Sequence, residues 1–257
     1  MWDAFKDAIF YCIQFFYNFI YDWGLAIVVV TLIFRLCLFP LMQKQIKSSY
    51  RMQQFQPRIR EIQEKYADDQ QRQAAEMQKV YAEIGFNPVT GCLPLLLQMP
   101  IFIALYQVLQ EMGSRLGEGV TYSFYNILPN LVTSPSAMLE KGFIDFLPYL
   151  ILLLLFAGCT FLPAILQQIG TNNPQKNQTM IMMAVMSIFM LWIGWSSPTG
   201  VLLFWATSSI FGVGQQIIST RVFKRRDAET EAAVEVAKPV VVDVERKTKK
   251  KRPTKKS

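Results

Sequence analysis

One arginine lies in the middle of a long apolar run, and it is the residue of this sequence with the clearest chemical consequence. Arg35 follows the stretch VVVTLIF and precedes LCLF. A charge at the centre of a membrane span costs about 2.5–3.5 kcal/mol even on lenient insertion scales. No other apolar segment contains an acid that could pair with it. We therefore expect Arg35 to face a water-filled cavity, with snorkelling toward the nearer membrane surface as the alternative.

Polar residues in other apolar segments could line the same cavity. Gln98 lies in LLLQMP, and Ser208 and Ser209 follow Trp205 in the last apolar segment. Each of these side chains alone is more typical of a contact between packed helices than of a functional site. Their coincidence with an unpaired arginine favours a hydrophilic cavity that contains Arg35, Gln98, Ser208 and Ser209.

The residue types exclude most kinds of catalysis. The sequence contains no histidine, so Ser-His-Asp and Cys-His catalysis and histidine-ligated zinc are excluded. The four cysteines form no CxxC pair and are typical of small buried apolar residues. We expect a protein that is not an enzyme, with no metal and no cofactor.

The elements that position these residues are membrane-spanning helices. Charged residues make up 18% of the chain, and Lys176 is the only one between residues 146 and 220. Soluble domains contain about 25% charged residues, so a water-soluble fold is excluded. A spanning helix needs about 20 apolar residues. Five segments qualify and predict an all-α, polytopic membrane protein, with spans at residues 23–42, 91–110, 146–168, 180–196 and 199–218.

The remaining segments are assigned by charge and periodicity. Residues 1–22 are aromatic and predict an extracytoplasmic amphipathic helix in the membrane interface, with partial insertion as the alternative. Residues 111–145 form an extracytoplasmic loop and residues 169–179 a short cytoplasmic one. Residues 43–90 predict a cytoplasmic helical hairpin, and residues 219–257 a disordered basic tail. The hairpin's first helix has an apolar stripe at helical spacing: Met52, Phe55, Ile59, Ile62 and Tyr66.

Orientation follows from the distribution of lysine and arginine. The 43–90 segment has eight of them, the 169–179 loop one and the tail thirteen, and five spans place all of these on one side. The other side has only Lys6, Arg115 and Lys141. By the positive-inside rule, the N-terminus lies outside and the C-terminus in the cytoplasm.

Three groups of motifs resemble one family of membrane proteins. Residues 34–40 (FRLCLFP) are followed by KQIKS, QP and EIQEKY. Residues 87–106 read NPVTGCLPLLLQMPIFIALY, and residues 198–205 read PTGVLLFW. Together they resemble the YidC membrane protein insertases of the oxidase-assembly/YidC/Alb family. The resemblance covers about residues 20–220 and is to the short form found in Gram-positive bacteria.

The resemblance implies a function and a site. It implies an insertase and chaperone of the bacterial plasma membrane, which inserts integral membrane proteins and helps them fold. A hydrophilic groove open to the cytoplasm would receive the substrate, either alone or beside the Sec translocon. By matching motifs, Arg35 and Gln98 are expected in that groove, and Phe102 and Trp205 are expected to contact the substrate.

The resemblance also implies partners. Nascent membrane proteins would be the substrates, and the hairpin stripe would recruit them and contact the signal-recognition machinery. The basic tail, including Arg225, Arg226 and the run Lys249, Lys250 and Lys251, could bind phosphates of ribosomal RNA. It could equally bind anionic lipids.

Other functional classes fit less well. A transporter or channel is the strongest alternative, but the sequence shows no internal repeat and an odd number of spans. An intramembrane protease lacks intramembrane aspartates and histidine. A passive assembly scaffold stays open.

Overall fold

A computed structural model describes residues 1–86, 88–116, 120–168 and 176–237 of the protein. Within the described ranges the regular secondary structure is helical, and the only β-type pairing is an isolated bridge between Phe124 and Leu128. The chain divides into two compact units, residues 1–220 and 221–257. The helices are α1 (Trp2–Ile20), α2 (Trp23–Gln54), α3 (Gln56–Lys65), α4 (Gln70–Ile84), α5 (Pro88–Leu116), α6 (Pro135–Lys141), α7 (Phe143–Gln168), α8 (Lys176–Ser196) and α9 (Thr199–Ala237).

Three helices of the described chain are long and apolar enough to cross a membrane. These segments are Trp23–Gln54, Phe143–Thr160 and Thr199–Thr230, and Ala184–Ser196 is a shorter apolar helix. The prediction of an all-helical, membrane-spanning protein is therefore confirmed at this level. For the predicted span at residues 91–110, the side chains of the first residues lie outside the described part of the chain.

Helix α2 is longer than the sequence predicts. Asp22 caps its start at Trp23, with a side chain that accepts a hydrogen bond from the Leu25 amide at 2.7 Å. Helix α2 then continues through Pro40 to Gln54 as one helix of 32 residues, or about 48 Å. The expected boundary at residue 42 marks a change in polarity and not the end of the helix.

Helices α3 and α4 occupy most of the predicted hairpin. The chain breaks at Phe55, and Pro57 then occupies the first turn of α3, where its missing N–H costs nothing. Asp69 caps α4 by accepting from the Arg72 amide, and Gly85 ends α4 in the left-handed conformation. Arg58 of α3 and Glu83 of α4 form an ion pair at 2.7 Å. This pair joins the two helices on a solvent-exposed side.

The loop at residues 120–134 seals the end of the bundle at which α2 and α9 begin. The first amides of α9 donate to it, Thr199 to the Thr133 carbonyl at 3.0 Å and Gly200 to the Leu131 carbonyl at 2.8 Å. The Gly24 amide of α2 donates to the Ser123 carbonyl at 3.2 Å. Helix N-termini leave amides without intrahelical partners, and here the loop carbonyls satisfy them. We call this the closed end.

The apolar core is packed against the loop that forms the closed end. It contains the fully buried Trp23, Leu109, Tyr149 and Leu202, which come from α2, α5, α7 and α9. The Tyr149 hydroxyl accepts from the Asn130 amide at 3.1 Å, so the loop is attached to the core as well as to the helix ends. Four helices and one loop therefore meet in a single packed cluster.

Helix α1 is attached to the end of α5 by ion pairs. Lys6, only 11% exposed at its side chain, contacts Glu111 at 2.7 Å. Arg115 bridges Glu111 and Asp7 at 2.8 and 2.7 Å. Because Lys6 and Arg115 donate to its carboxylate, the pKa of Glu111 lies below its ordinary value of 4.5. The hydrogen bond to Glu111 raises the pKa of Lys6 above its ordinary 10.5.

These shifts predict when the attachment of α1 weakens. The Glu111 contribution is complete above about pH 4.5 and is lost as the pH falls through the lower value of the folded chain. The Lys6 contribution is complete below its ordinary pKa of 10.5 and is lost as the pH rises through its raised value. At neutral pH, we expect Glu111→Gln to increase hydrogen exchange of the α1 amides. The matched control is Glu140→Gln, which changes an exposed glutamate. Equal hydrogen exchange of α1 in the Glu111→Gln and Glu140→Gln variants would contradict a role for the ion pairs.

The predicted disorder of the tail is wrong for its first part. Helix α9 continues through residue 219 to Ala237, and residues 238–257 lie outside the described chain. The reason is composition: the basic block ends at Arg226, and residues 227–237 read DAETEAAVEVA, which is rich in helix-forming alanine and glutamate.

Candidate functional site

A polar cavity of about 280 Å³ lies between α2, α7 and α9. It begins among buried residues, including Ser208 at 2% exposure, and extends along α2 to the exposed Gln53. Arg35 and Gln53 are 18 positions apart, or about 27 Å along a helix. At about 30 Å³ per water, the volume has room for roughly nine water molecules. We call the part near Arg35 and Ser208 its inner end.

Arg35 is the charged residue among the described lining of this cavity. Its Nε atom is buried and has no hydrogen-bond partner within the described residues. The apolar segments contain no acid, so the chain offers the guanidinium no carboxylate within its spans. An unpaired buried charge is costly unless water or a counter-charge reaches it. The polar cavity is the place from which either could reach it.

Hydroxyl groups from two other helices line the cavity with Arg35. Thr160 of α7 and Ser209 of α9 have their oxygens 3.2 Å apart, and either can be the donor. The Ser208 hydroxyl is buried and has no partner in the described structure. Three of the residues predicted for the groove, Arg35, Ser208 and Ser209, therefore share one cavity.

Gln98, the other polar residue expected in the groove, is not among the residues that line the cavity. Its Nε2 atom is buried and unpaired within the described part of the chain. Its role in the groove stays a prediction.

The two aromatic residues expected to contact substrate lie against each other. Phe102 and Trp205 are stacked with ring centroids 4.6 Å apart and an interplanar angle of 5°. Phe156 of α7 stacks on the same tryptophan at 4.9 Å and 10°. This aromatic stack joins α5, α7 and α9. Phe156 was not predicted from the sequence, because one aromatic residue among the leucines of α7 has no pattern that separates it from an ordinary core residue.

The second half of α2 contributes lining residues that were not predicted from the sequence. Gln45, Ser49 and Gln53 line the cavity, 10, 14 and 18 positions after Arg35. At 3.6 residues per turn, Gln53 lies at the same angle around the helix as Arg35, Ser49 about 40° away and Gln45 about 80° away, so all three lie on the side of α2 that contains the arginine. The signal was present in the sequence but depends on α2 continuing past residue 42.

Two hydrogen bonds fasten α9 to α2 beside the cavity. The side-chain amide of Gln215 donates through Nε2 to the backbone carbonyl of Phe39 at 3.3 Å, next to Pro40. The Ser219 hydroxyl donates to Gln43 Oε1 at 2.7 Å. They hold the two long walls of the cavity together where the proline interrupts the hydrogen bonding of α2.

The residues proposed for recruitment differ in accessibility. Ile59 is only 3% exposed, and Val80 and Ile84 of α4 are also buried. Ile59 is therefore part of the packed α3–α4 pair and is not available to a partner. Met52, Phe55, Ile62 and Tyr66 remain half-buried.

The basic residues proposed for ribosome or lipid contact lie partly in the described chain. Arg225 and Arg226 are exposed on α9, whereas Lys249, Lys250 and Lys251 lie outside the described residues. Among described residues, no group of three or more histidine, cysteine, aspartate or glutamate side chains could hold a metal ion.

The fold and cavity define a class of protein: a helical membrane protein with a polar, arginine-containing cavity between its spanning helices. Residues 15–227 match the family model described as the 60 kDa inner membrane protein. The Listeria monocytogenes protein named "Membrane protein insertase YidC 1" is 35% identical over 221 residues, covering 84% of this chain and 70% of the relative. The chain belongs to this family, the YidC membrane protein insertases.

Longer relatives match the same region. A Treponema denticola protein named "Membrane protein insertase YidC" is 34% identical over 219 residues, and one from Actinobacillus pleuropneumoniae is 35% identical over 219. The chain spans 37% of the length of each. The structure titled "Active YidC insertase crystal structure with the first transmembrane domain resolved" shares the fold. Its TM-score is 0.62 at 24% identity, covering 85% of this chain and 46% of that one.

Proposed function

We propose that this chain inserts integral membrane proteins into a bacterial plasma membrane and helps them fold, without covalent chemistry. The observation that carries the proposal is the polar cavity with one unpaired arginine inside a membrane-spanning bundle. Membership of the YidC insertase family supports it. Nascent membrane proteins are the proposed substrates.

The proposed topology has five spans with the N-terminus outside. Helices α2, α5, α7, α8 and α9 have 32, 29, 26, 21 and 39 residues, and each exceeds the roughly 20 residues that a span requires. The lysine and arginine distribution supports an orientation with the closed end outside and the exposed end of the cavity in the cytoplasm. The cavity is then a groove entered from the cytoplasm.

Helix α1 is proposed to dip partly into the membrane instead of lying flat on it. Phe5 and Ile9 line an apolar cavity of about 130 Å³ together with Phe34 of α2 and Ile101 of α5. Phe34 lies 11 residues after the start of α2, or about 17 Å along the helix.

The mechanism follows from the cost of dehydration. A polar tail that crosses hydrocarbon must lose its water, which costs several kcal/mol for each unpaired peptide group. Arg35 lies 12 residues from the start of α2, or about 18 Å. A hydrated groove that reaches Arg35 therefore removes nearly half of a hydrocarbon layer about 30 Å thick.

Charge and hydrophobicity then complete insertion. Arg35 would attract acidic groups of the incoming tail. A membrane potential that is positive outside adds about 2.3 kcal/mol per 100 mV for each acidic charge that moves outward. The apolar part of the substrate would leave the groove into lipid beside the Phe102–Trp205–Phe156 aromatic stack. This scheme requires only this chain, and the Sec translocon is not needed for any step of it.

The test of autonomous insertion is reconstitution. Purified protein is placed in liposomes with a small single-span substrate that carries a short acidic N-terminal tail, and protection of the tail from external protease is measured. We expect protection above that in empty liposomes. Equal protection in both would reject an autonomous insertase and favour a chaperone that depends on Sec.

The basic tail is proposed to bind ribosomal RNA, with anionic lipid as the alternative. Thirteen of the 26 lysine and arginine residues lie in residues 221–257, and polybasic segments bind phosphates with steep salt dependence. We expect removal of these residues to abolish co-sedimentation with ribosomes at low salt. Unchanged co-sedimentation would reject the ribosome contact. If the truncated protein loses binding to anionic liposomes but still co-sediments with ribosomes, the tail binds lipid.

A further inference from the structure

The inner end of the cavity contains a positive charge that no described residue neutralises. Arg35 has no ion pair among the described contacts, and residues 146–220 contain no acid. Glu111, the acid of helix α5, is already paired with Lys6 and Arg115. A guanidinium with a buried Nε is stabilised when a counter-charge accompanies it. No residue in the described part of the chain supplies that counter-charge.

Unpaired donors point to where it would bind. Arg35 Nε and the Ser208 hydroxyl are both buried, both lack a partner among the described residues, and both belong to residues that line the same cavity. Ser208 is 2% exposed. The Thr160–Ser209 hydroxyl pair also lines it, and whichever hydroxyl accepts their shared bond keeps its own hydrogen for a third acceptor. These groups can donate hydrogen bonds, and the ligand that fits them is a hydrogen-bond acceptor with a negative charge.

The surrounding helix favours entry of an anion. Helix α2 contains Arg35, Lys44, Lys47 and Arg51 and no acid, and Lys44 and Lys47 are exposed. A one-signed charge distribution raises the local concentration of the opposite ion. The volume of about 280 Å³ accommodates a small ion with several waters.

We propose that the inner end of the cavity binds one small inorganic anion, held by Arg35 and Ser208, as the resting counter-ion of the arginine. Chloride is the probe for this class of ligand. Under the proposed function, an acidic residue of the substrate displaces the anion. The binding itself does not depend on insertion, so failure of one is distinguishable from failure of the other.

The direct test is chloride NMR on the purified full chain in a chloride-free detergent buffer. We expect added chloride to show an excess linewidth from bound ion, and acetate, a carboxylate, to compete for it. Arg35→Gln should abolish the excess. Ser208→Ala should weaken binding about tenfold, the effect of losing one hydrogen bond to a charge.

The matched control is Lys141→Gln, which removes one exposed positive charge at the end of α6, outside α2 and outside the cavity lining. It should keep the excess linewidth. An excess linewidth that persists in Arg35→Gln, or that Lys141→Gln removes equally, would overturn the site.

A second measurement leaves Arg35 and Ser208 intact. Cys159 lines the same cavity and is half-buried. In a chain with Cys12, Cys37 and Cys92 replaced by serine, chloride should slow the reaction of Cys159 with an anionic thiosulfonate several-fold relative to 2-(N-morpholino)ethanesulfonate at equal ionic strength. This reference anion has no carboxylate and is much larger than chloride. The reaction with a neutral thiosulfonate should not change. Equal rates of the anionic reagent in chloride and in the reference anion would reject the proposal even if Arg35→Gln fails to fold.

Discussion

Replacing Arg35 by glutamine should reduce insertion of substrates with an acidic translocated tail about tenfold, a loss of about 1.4 kcal/mol. Two opposite charges 4 Å apart attract by about 4 kcal/mol at the effective dielectric constant near a protein surface. Dehydration of the tail's carboxylate offsets part of that energy. The expected net effect is therefore smaller than the Coulomb energy, but still easily measured as a change in rate.

The effect should depend on the charge of the substrate. A tail with its acids changed to amides should be inserted equally by both proteins, because it has no charge for Arg35 to attract. Arg35→Lys should give an intermediate rate, since it keeps the charge but loses the planar fork that pairs with a carboxylate. The measurement is protease protection in liposomes, with Lys141→Gln, which removes an exposed charge outside α2, as the control. Equal losses for acidic and neutral tails would instead assign Arg35 to the stability of the groove.

The polar surroundings of Arg35 could be predicted because the physical reason for them depends only on the neighbouring residues in the sequence. A charge within an apolar run is costly wherever the helix lies, so the sequence alone requires a polar environment for Arg35. Ser208 and Ser209 line the same cavity. Gln98 differs because residues 93–105 are almost uniformly apolar. Such a helix has no periodicity that determines which face turns toward the cavity.

Two features depended on information that the sequence pattern does not contain. The change from apolar to polar residues near residue 42 predicted the end of a span, but the hydrogen bonding of α2 continues to Gln54. The cavity wall at Gln45, Ser49 and Gln53 was missed for that reason. The seal at the closed end depends on pairing between residues far apart in the chain, such as Gly200 with Leu131. No local motif in the loop indicates that pairing.

The closed end should be sensitive to one added methyl group. Gly24 is the second residue of α2, and a Cβ atom there would lie 2.3 Å from Phe124 Cβ and 2.4 Å from its Cδ2. Because the first contact is with the root of the phenylalanine side chain, rotation of the ring cannot relieve it. The backbone of Phe124 is also held, since its amide donates to the Leu128 carbonyl at 3.0 Å and the neighbouring Ser123 accepts from Gly24.

Gly24→Ala should therefore destabilise the fold, although alanine normally favours a helix by about 0.5–1 kcal/mol over glycine. Overpacking of a tight core typically costs about 1–3 kcal/mol, which corresponds to about 2–4 °C in melting temperature for each kcal/mol in a chain of this size. The measurement is thermal unfolding of the purified protein in detergent. Gly212→Ala is the matched control, because nothing lies within 4 Å of its added Cβ in α9. It should leave the melting temperature unchanged or raise it. If both variants melt alike, loop 120–134 is not packed against the start of α2, and the closed end would lack the tight barrier that a groove open on one side requires.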